Sequence, residues 1–146
     1  MTRVLVINGP NLNLLGEREP GTYGARSLDE ILEELQYVAD SCAVMLESYQ
    51  SNSEGDLVDR VQQAGAESVD YIILNPAAYT HSSVALRDAL LAVKIPFIEV
   101  HLSAVSAREP FRQVTYFADI AEGVVSGFRG EGYLLALQAI LNRIEP

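Results

Sequence analysis

Apolar and polar positions along the chain predict strands alternating with helices. Short apolar runs bounded by turn residues recur at 4–7, 43–46 (with an extension toward Tyr49), 71–74, 97–100 and 123–126, each of buried-strand length. Between them, apolar residues return at helical spacing. Leu28, Ile31, Leu32, Leu35, Val38 and Ala39 mark one helix, and Ser27 with Glu30 three residues later forms a capping-box signature at its start. Leu57, Val58, Val61 and Ala64 mark a second, with Gly65 near its stop; 84–93 is a third, more apolar helix and 133–144 a fourth. The segment 111–117 fits either a short helix or a turn. Strands separated by helices over the whole length predict an α/β fold, a doubly wound parallel sheet with both faces covered.

Five strands in 146 residues suit the small flavodoxin-like arrangement with strand order 2-1-3-4-5. No linker, charge run or internal repeat divides the chain, so 1–146 reads as a single domain. With 49% apolar and 21% charged residues the chain can bury one core. Its formal net charge of −10 argues against nucleic acid and anionic membranes as partners. The first apolar run is too short for a signal peptide or a membrane span, which leads to the expectation of a soluble, cytoplasmic protein. The one cysteine, Cys42, cannot form an internal disulfide and reads as core packing ahead of a buried strand. Of ten cationic residues only Lys94 is a lysine, placed where a helix end favours positive charge. Imine chemistry would have to use it. Neither a P-loop nor a strand-borne Gly-x-Gly-x-x-Gly is present.

In doubly wound sheets ligands bind beyond the carboxyl ends of the strands, and those segments carry the candidate chemistry. The stretch 8–24 is too long for a plain strand-to-helix connection and reads as a binding loop or lid. It places Arg18 and Tyr23 on one segment. A phenol of ordinary pKa about 10 becomes a base near neutrality only beside a cation, which Arg18 can supply. The chain's two histidines, His81 and His101, both follow predicted strands. A metal reading would need Glu99 or Asp88 as a third ligand, and no His-x-His or cysteine cluster supports it; no metal is expected. Residues 102–106 offer backbone N–H groups for an anion, and Arg108 and Arg112 follow, either as a basic mouth or as partners of surface acids.

Several motifs in order resemble the type II 3-dehydroquinate dehydratases nearly end to end. They are Ile7-Asn8-Gly9-Pro10-Asn11-Leu12-Asn13-Leu14-Leu15-Gly16, Arg18-Glu19-Pro20 with Tyr23-Gly24, Gln50-Ser51-Asn52-Ser53-Glu54-Gly55, Tyr79-Thr80-His81-Ser82-Ser83 through Asp88, Glu99-Val100-His101-Leu102-Ser103, and Gly132-Tyr133-Leu134-Leu135-Ala136-Leu137. The resemblance implies a single catalytic domain that dehydrates 3-dehydroquinate to 3-dehydroshikimate by anti elimination through an enolate, without imine, metal or cofactor. It implies Tyr23 as the base, Arg18 as the charge that holds it as phenolate, and Asn11 as a group positioning a water on the enolate oxygen. It implies His101 as the general acid, with Glu99 orienting its ring. Leu102 and Ser103 would hold the substrate carboxylate through their N–H groups, and Asn75, His81 and Arg112 its hydroxyls. Asp88 would reach a neighbouring subunit's site in a dodecamer of four trimers. The role would be aromatic biosynthesis on the shikimate pathway or quinate breakdown.

The chain departs from the family's usual residues at Ala104, Ser106, Thr115-Tyr116, Ala118-Asp119 and Gly127-Phe128-Arg129-Gly130, none among the positions given a chemical role. These positions bear on assembly and affinity. Competing readings are a non-catalytic flavodoxin-like small-molecule binding domain, a flavin carrier on the same architecture, and a metal hydrolase using His81, His101 and Glu99.

Overall fold

The computed structural model describes residues 1–17 and 19–144. Five strands, β1 (Arg3–Asn8), β2 (Met45–Gln50), β3 (Tyr71–Asn75), β4 (Phe97–His101) and β5 (Gly123–Ser126), form one all-parallel sheet in the order β2-β1-β3-β4-β5. The order read from the sequence is the one observed. The helices are α1 (Pro20–Tyr23), α2 (Leu28–Ser41), α3 (Glu54–Ala66), α4 (Val84–Val93) and α5 (Glu131–Ile144). None is long and apolar enough to cross a membrane among the described residues.

Alternation along the central strands builds two cores. Val4 and Val6 of β1, Ile73 of β3 and Ile98 and Val100 of β4 pack with α2 and α5, whereas Leu5, Ile7, Ile72, Leu74 and Phe97 pack with α3 and α4. This parity determines where the polar strand ends point. Asn8 and Asn75, paired in register, continue the α5 side, while Glu99 and His101 share a side of β4 two residues apart.

Helix starts follow their predicted chemistry. Ser27 Oγ accepts the Glu30 N–H at 3.1 Å and Glu30 returns to the Ser27 N–H, closing the capping box. Ser53 and Ser83 cap α3 and α4 through the serine oxygen alone, accepting the Asp56 and Leu86 N–H groups. Lys94 ends α4 in a left-handed conformation.

One strand lies away from its expected place. The second strand begins at Met45, not at 43, because α2 runs on to Ser41 and the chain then turns through Cys42 and a left-handed Ala43. Cys42 is therefore exposed at a helix end rather than packed in the core. The apolar run 43–46 misleads because β2 is an edge strand whose polar half, Glu47 to Gln50, is only partly covered. The undecided segment 111–117 holds the end of one 3₁₀ turn, Pro110–Arg112, followed by irregular chain; another 3₁₀ turn, Val105–Ala107, precedes it.

Candidate active site

At the carboxyl edge of the sheet a cleft of about 160 Å³ opens between the loop after β1 and the loops after β3 and β4. Pro10, Asn11, Leu12, Tyr23, Asn75, Ala77, Ala78, His81, His101, Leu102, Ser103, Val105, Arg108 and Arg112 line it. A larger hollow of about 300 Å³ beside the start of α2 is lined by Asn8, Asn13, Ser27, Asp29, Ser48, Tyr49 and Gln50 among others, and holds no histidine or arginine. The chemistry therefore concentrates in the smaller cleft.

Its floor is set by close approach of two strand ends. The Gly9 N–H donates to Asn75 O at 2.8 Å, and a Cβ on Gly9 would lie 2.4 Å from the carbonyl oxygen of Pro76, so only glycine lets these loops meet. The chain then enters a left-handed turn at Asn11, with φ 68°. The motif from Gln50 to Asn52 fastens it. Asn52 Oδ1 accepts the Asn11 N–H at 3.0 Å, Gln50 Nε2 donates to Gly9 O at 3.1 Å, and the Tyr79 hydroxyl donates to Asn52 O at 2.8 Å.

Behind one wall lies a buried acid-histidine pair. His101 Nε2 meets Glu99 Oε2 in a very short contact, and Glu99 itself is fully buried beneath the cleft. Thr115 donates its hydroxyl to the same Glu99 oxygen at 2.8 Å, and Thr115 in turn accepts the Phe117 N–H. The carboxylate thus fixes the imidazole from below and leaves Nδ1 for the cleft. His81 is oriented by a different device: its Nδ1 donates to the Val114 carbonyl at 2.7 Å, which leaves Nε2 as an acceptor.

Opposite stands Tyr23, half-buried at the end of α1. The Arg108 guanidinium lies 5.5 Å from the centre of its ring. Burial opposes the Arg108 charge, but a hydrogen bond to Tyr23, the Tyr23 charge and Glu109 outweigh it and hold the guanidinium above its ordinary value. Arg108 also donates to Ser103 Oγ at 2.8 Å, which links Tyr23 to the loop after β4. Arg112 lines the cleft with its Nε on Glu109 at 3.1 Å.

The cleft thus gathers Asn11, Tyr23, Asn75, His81, His101, Leu102, Ser103 and Arg112, with Glu99 directly behind His101. Arg18 lies outside the described residues. Asp88 is exposed on α4 and does not line this cleft. Among the described residues no three His, Cys, Asp or Glu side chains gather as metal ligands would. Arg108, which the sequence left between a basic mouth and a surface ion pair, and Thr115, which it gave no chemical role, are neighbours of Tyr23 and Glu99. Arg108 and Arg112 lie in different short turns and not on one helix, so their directions are set by the irregular chain between them.

Residues 2–141 match the family described as Dehydroquinase class II. A 3-dehydroquinate dehydratase of Legionella pneumophila (strain Corby) is 57% identical over 145 residues, covering 99% of this chain and 100% of that protein. One from Aeromonas hydrophila is 58% identical, covering 97% of this chain and 95% of that protein. The crystal structure of a type II dehydroquinase from Butyrivibrio crossotus superposes with a TM-score of 0.93 at 42% identity, covering 97% of each chain. With a family match over nearly its whole length and relatives well above half identical, the chain belongs to the type II dehydroquinases.

Proposed function

We propose that this cleft dehydrates 3-dehydroquinate to 3-dehydroshikimate by an anti elimination through an enolate, with Tyr23 as base and His101 as acid. The observation that carries the reading is the placement of Tyr23, beside the fixed charge of Arg108, and His101, backed by Glu99, in one small cleft.

Tyr23, as phenolate, takes the proton next to the substrate ketone. The C–H pair becomes the enolate, whose negative charge Asn11 stabilises through a positioned water. The enolate then collapses to the conjugated enone as the C–O bond breaks, and His101 gives its proton to the leaving hydroxyl. The products are one enone and one water. A phenolate forms in the active site only where a permanent cation adjoins it, and Arg108 stands there; Arg18 is the second cation assigned to this role by family resemblance. Glu99 holds the His101 ring in place through its contact with Nε2. The N–H groups of Leu102 and Ser103 take the substrate carboxylate. Asn75, His81 and Arg112 take hydroxyls, with His81 Nε2 as acceptor and Arg112 as donor. The locally basic mouth draws a small anion to a chain of net charge −10.

The assembly proposed with this reading is a dodecamer of four trimers in which Asp88, exposed on its own subunit, completes a neighbour's site. The proposed location is the cytoplasm and the proposed pathway that of aromatic biosynthesis or quinate breakdown. No cofactor is invoked.

The test is ultraviolet absorbance on mixing the protein with 3-dehydroquinate, with a borohydride-treated sample alongside. An equal rise of enone absorbance in both supports elimination without an imine. Loss of the rise only in the treated sample overturns the mechanism, and no rise in either overturns the activity.

A further inference from the structure

Tyr133 is fully buried near the start of α5, a phenol that the proposed reaction does not use. Gly132 lets the helix come this close to the sheet: a Cβ there would lie 3.2 Å from Val100 Cγ1. The Tyr133 hydroxyl meets two asparagines at the ends of adjacent strands. It lies 2.5 Å from Asn8 Oδ1 and 3.0 Å from Asn75 Nδ2. A carbonyl oxygen can only accept, so the phenol donates to Asn8 and accepts from Asn75. The other end of the Asn75 amide, Oδ1, accepts the Ala77 N–H at 3.1 Å. Both ends of the amide are therefore held, oxygen toward Ala77 and nitrogen toward Tyr133, and the nitrogen retains one N–H. Asn75 is itself 3% exposed and lines the cleft.

We propose that Tyr133 is a positioning residue for substrate recognition: through its hydroxyl it fixes the rotamer of the Asn75 amide so that the remaining N–H faces a hydroxyl oxygen of the substrate. The proposal rests on the reading of Asn75 as a substrate contact. Burial raises the Tyr133 phenol well above its ordinary value, which keeps it a donor to Asn8 throughout the working range. Without the hydroxyl the Asn75 Nδ2 loses its acceptor and the amide can flip, so that its oxygen would face the substrate oxygen as a second acceptor.

The test is steady-state kinetics on 3-dehydroquinate for Tyr133→Phe, Asn75→Ala and the double variant, each first shown folded by circular dichroism. Tyr133→Phe is expected to raise KM about tenfold with kcat changed less than about threefold, the loss of one hydrogen bond in binding. Added to Asn75→Ala, it is expected to change KM by less than about twofold, because its target is gone. The same tenfold rise on the Asn75→Ala background, or no rise on the wild type, overturns the proposal, because a merely structural phenol acts equally on both. An unchanged KM in Asn75→Ala alone instead overturns the substrate contact on which it rests. If Tyr133→Phe does not fold, Asn8→Ala removes the acceptor from the other side and is expected to raise KM on the wild type but not on Asn75→Ala. An equal rise on both overturns the proposal.

Discussion

Thr115 donates its hydroxyl to the Glu99 oxygen that also meets His101, so one carboxylate oxygen takes two donors while the whole side chain is buried. Removing one donor to a buried carboxylate loosens the group that holds the proposed general acid, His101. Thr115→Val, which keeps the shape and loses the hydroxyl, is expected to lower kcat about tenfold, equivalent to about 1.4 kcal/mol, with little change in KM because Thr115 does not line the cleft. Thr115→Ser, which keeps the donor, should stay within about threefold of the wild-type kcat. Enone absorbance under saturating substrate checks both, and equal kcat for Val and wild type would sink the role.

Arg108 offers a sharper test of the base. If it were only a partner of Glu109, its loss would change turnover by less than about twofold, as for most exposed pairs. Its position on the Tyr23 ring predicts much more. Arg108→Gln is expected to lower kcat by roughly 10²-fold, the scale seen when a group that stabilises catalytic charge is removed from an active site. Arg108→Lys should recover part of the loss, since it restores charge without the planar donor array.

The central strands and the chemistry on them were legible because burial on both faces leaves uninterrupted apolar runs, so β1, β3 and β4 lie within a residue or two of their expected places. Glu99 and His101 were legible for the same reason: a charge and an imidazole two apart at the end of such a run share a side of the strand. Cys42 was misplaced because Val44 and Leu46 alone point inward near the start of edge strand β2, and the left-handed Ala43 that separates it from α2 leaves no mark in composition. Arg108 and Thr115 act from irregular chain between β4 and β5, where no period fixes direction. Their roles emerge only when long-range contacts bring Tyr23 and Glu99 to them.

Arg87 and Asp119 form a two-pronged pair at 2.5 and 2.9 Å, and Arg87 also donates to Tyr116 O at 2.8 Å, fastening the segment that carries Thr115. The hydrogen bond from Arg87 holds the Asp119 carboxyl below its ordinary range. A carboxylate whose folded value is depressed contributes stability that is present in full above the unfolded value of about 3.9 and is lost as pH falls through the folded value. Asp119→Asn should therefore lower Tm slightly at pH 7, and the gap to wild type should close as pH falls below about 4. A gap of constant size down to the acid transition would show that the pair acts by packing alone.

Arg129 ties the loop of the base to the opposite end of the sheet. Its guanidinium donates to Gly21 O at 3.0 Å within α1, while its backbone N–H donates to Leu102 O at 2.9 Å in the loop proposed to hold the substrate carboxylate. Its stem also lies beside Gly24, where a Cβ would come 3.4 Å from Arg129 Cδ; the φ of +95° at Gly24 is what disfavours another residue there. Loss of the side chain removes the one guanidinium bond to the α1 backbone and lets the loop sample open forms more often. The competent state is then less populated, and apparent affinity falls by that fraction. Arg129→Ala is expected to raise KM by roughly 3- to 10-fold, to leave kcat within about threefold, and to speed hydrogen exchange of Thr22 and Tyr23, whose N–H groups bond to Glu19 O. Unchanged exchange with a raised KM would overturn this account, because Arg129→Ala keeps the backbone N–H to Leu102 O and removes the guanidinium bond to Gly21 O.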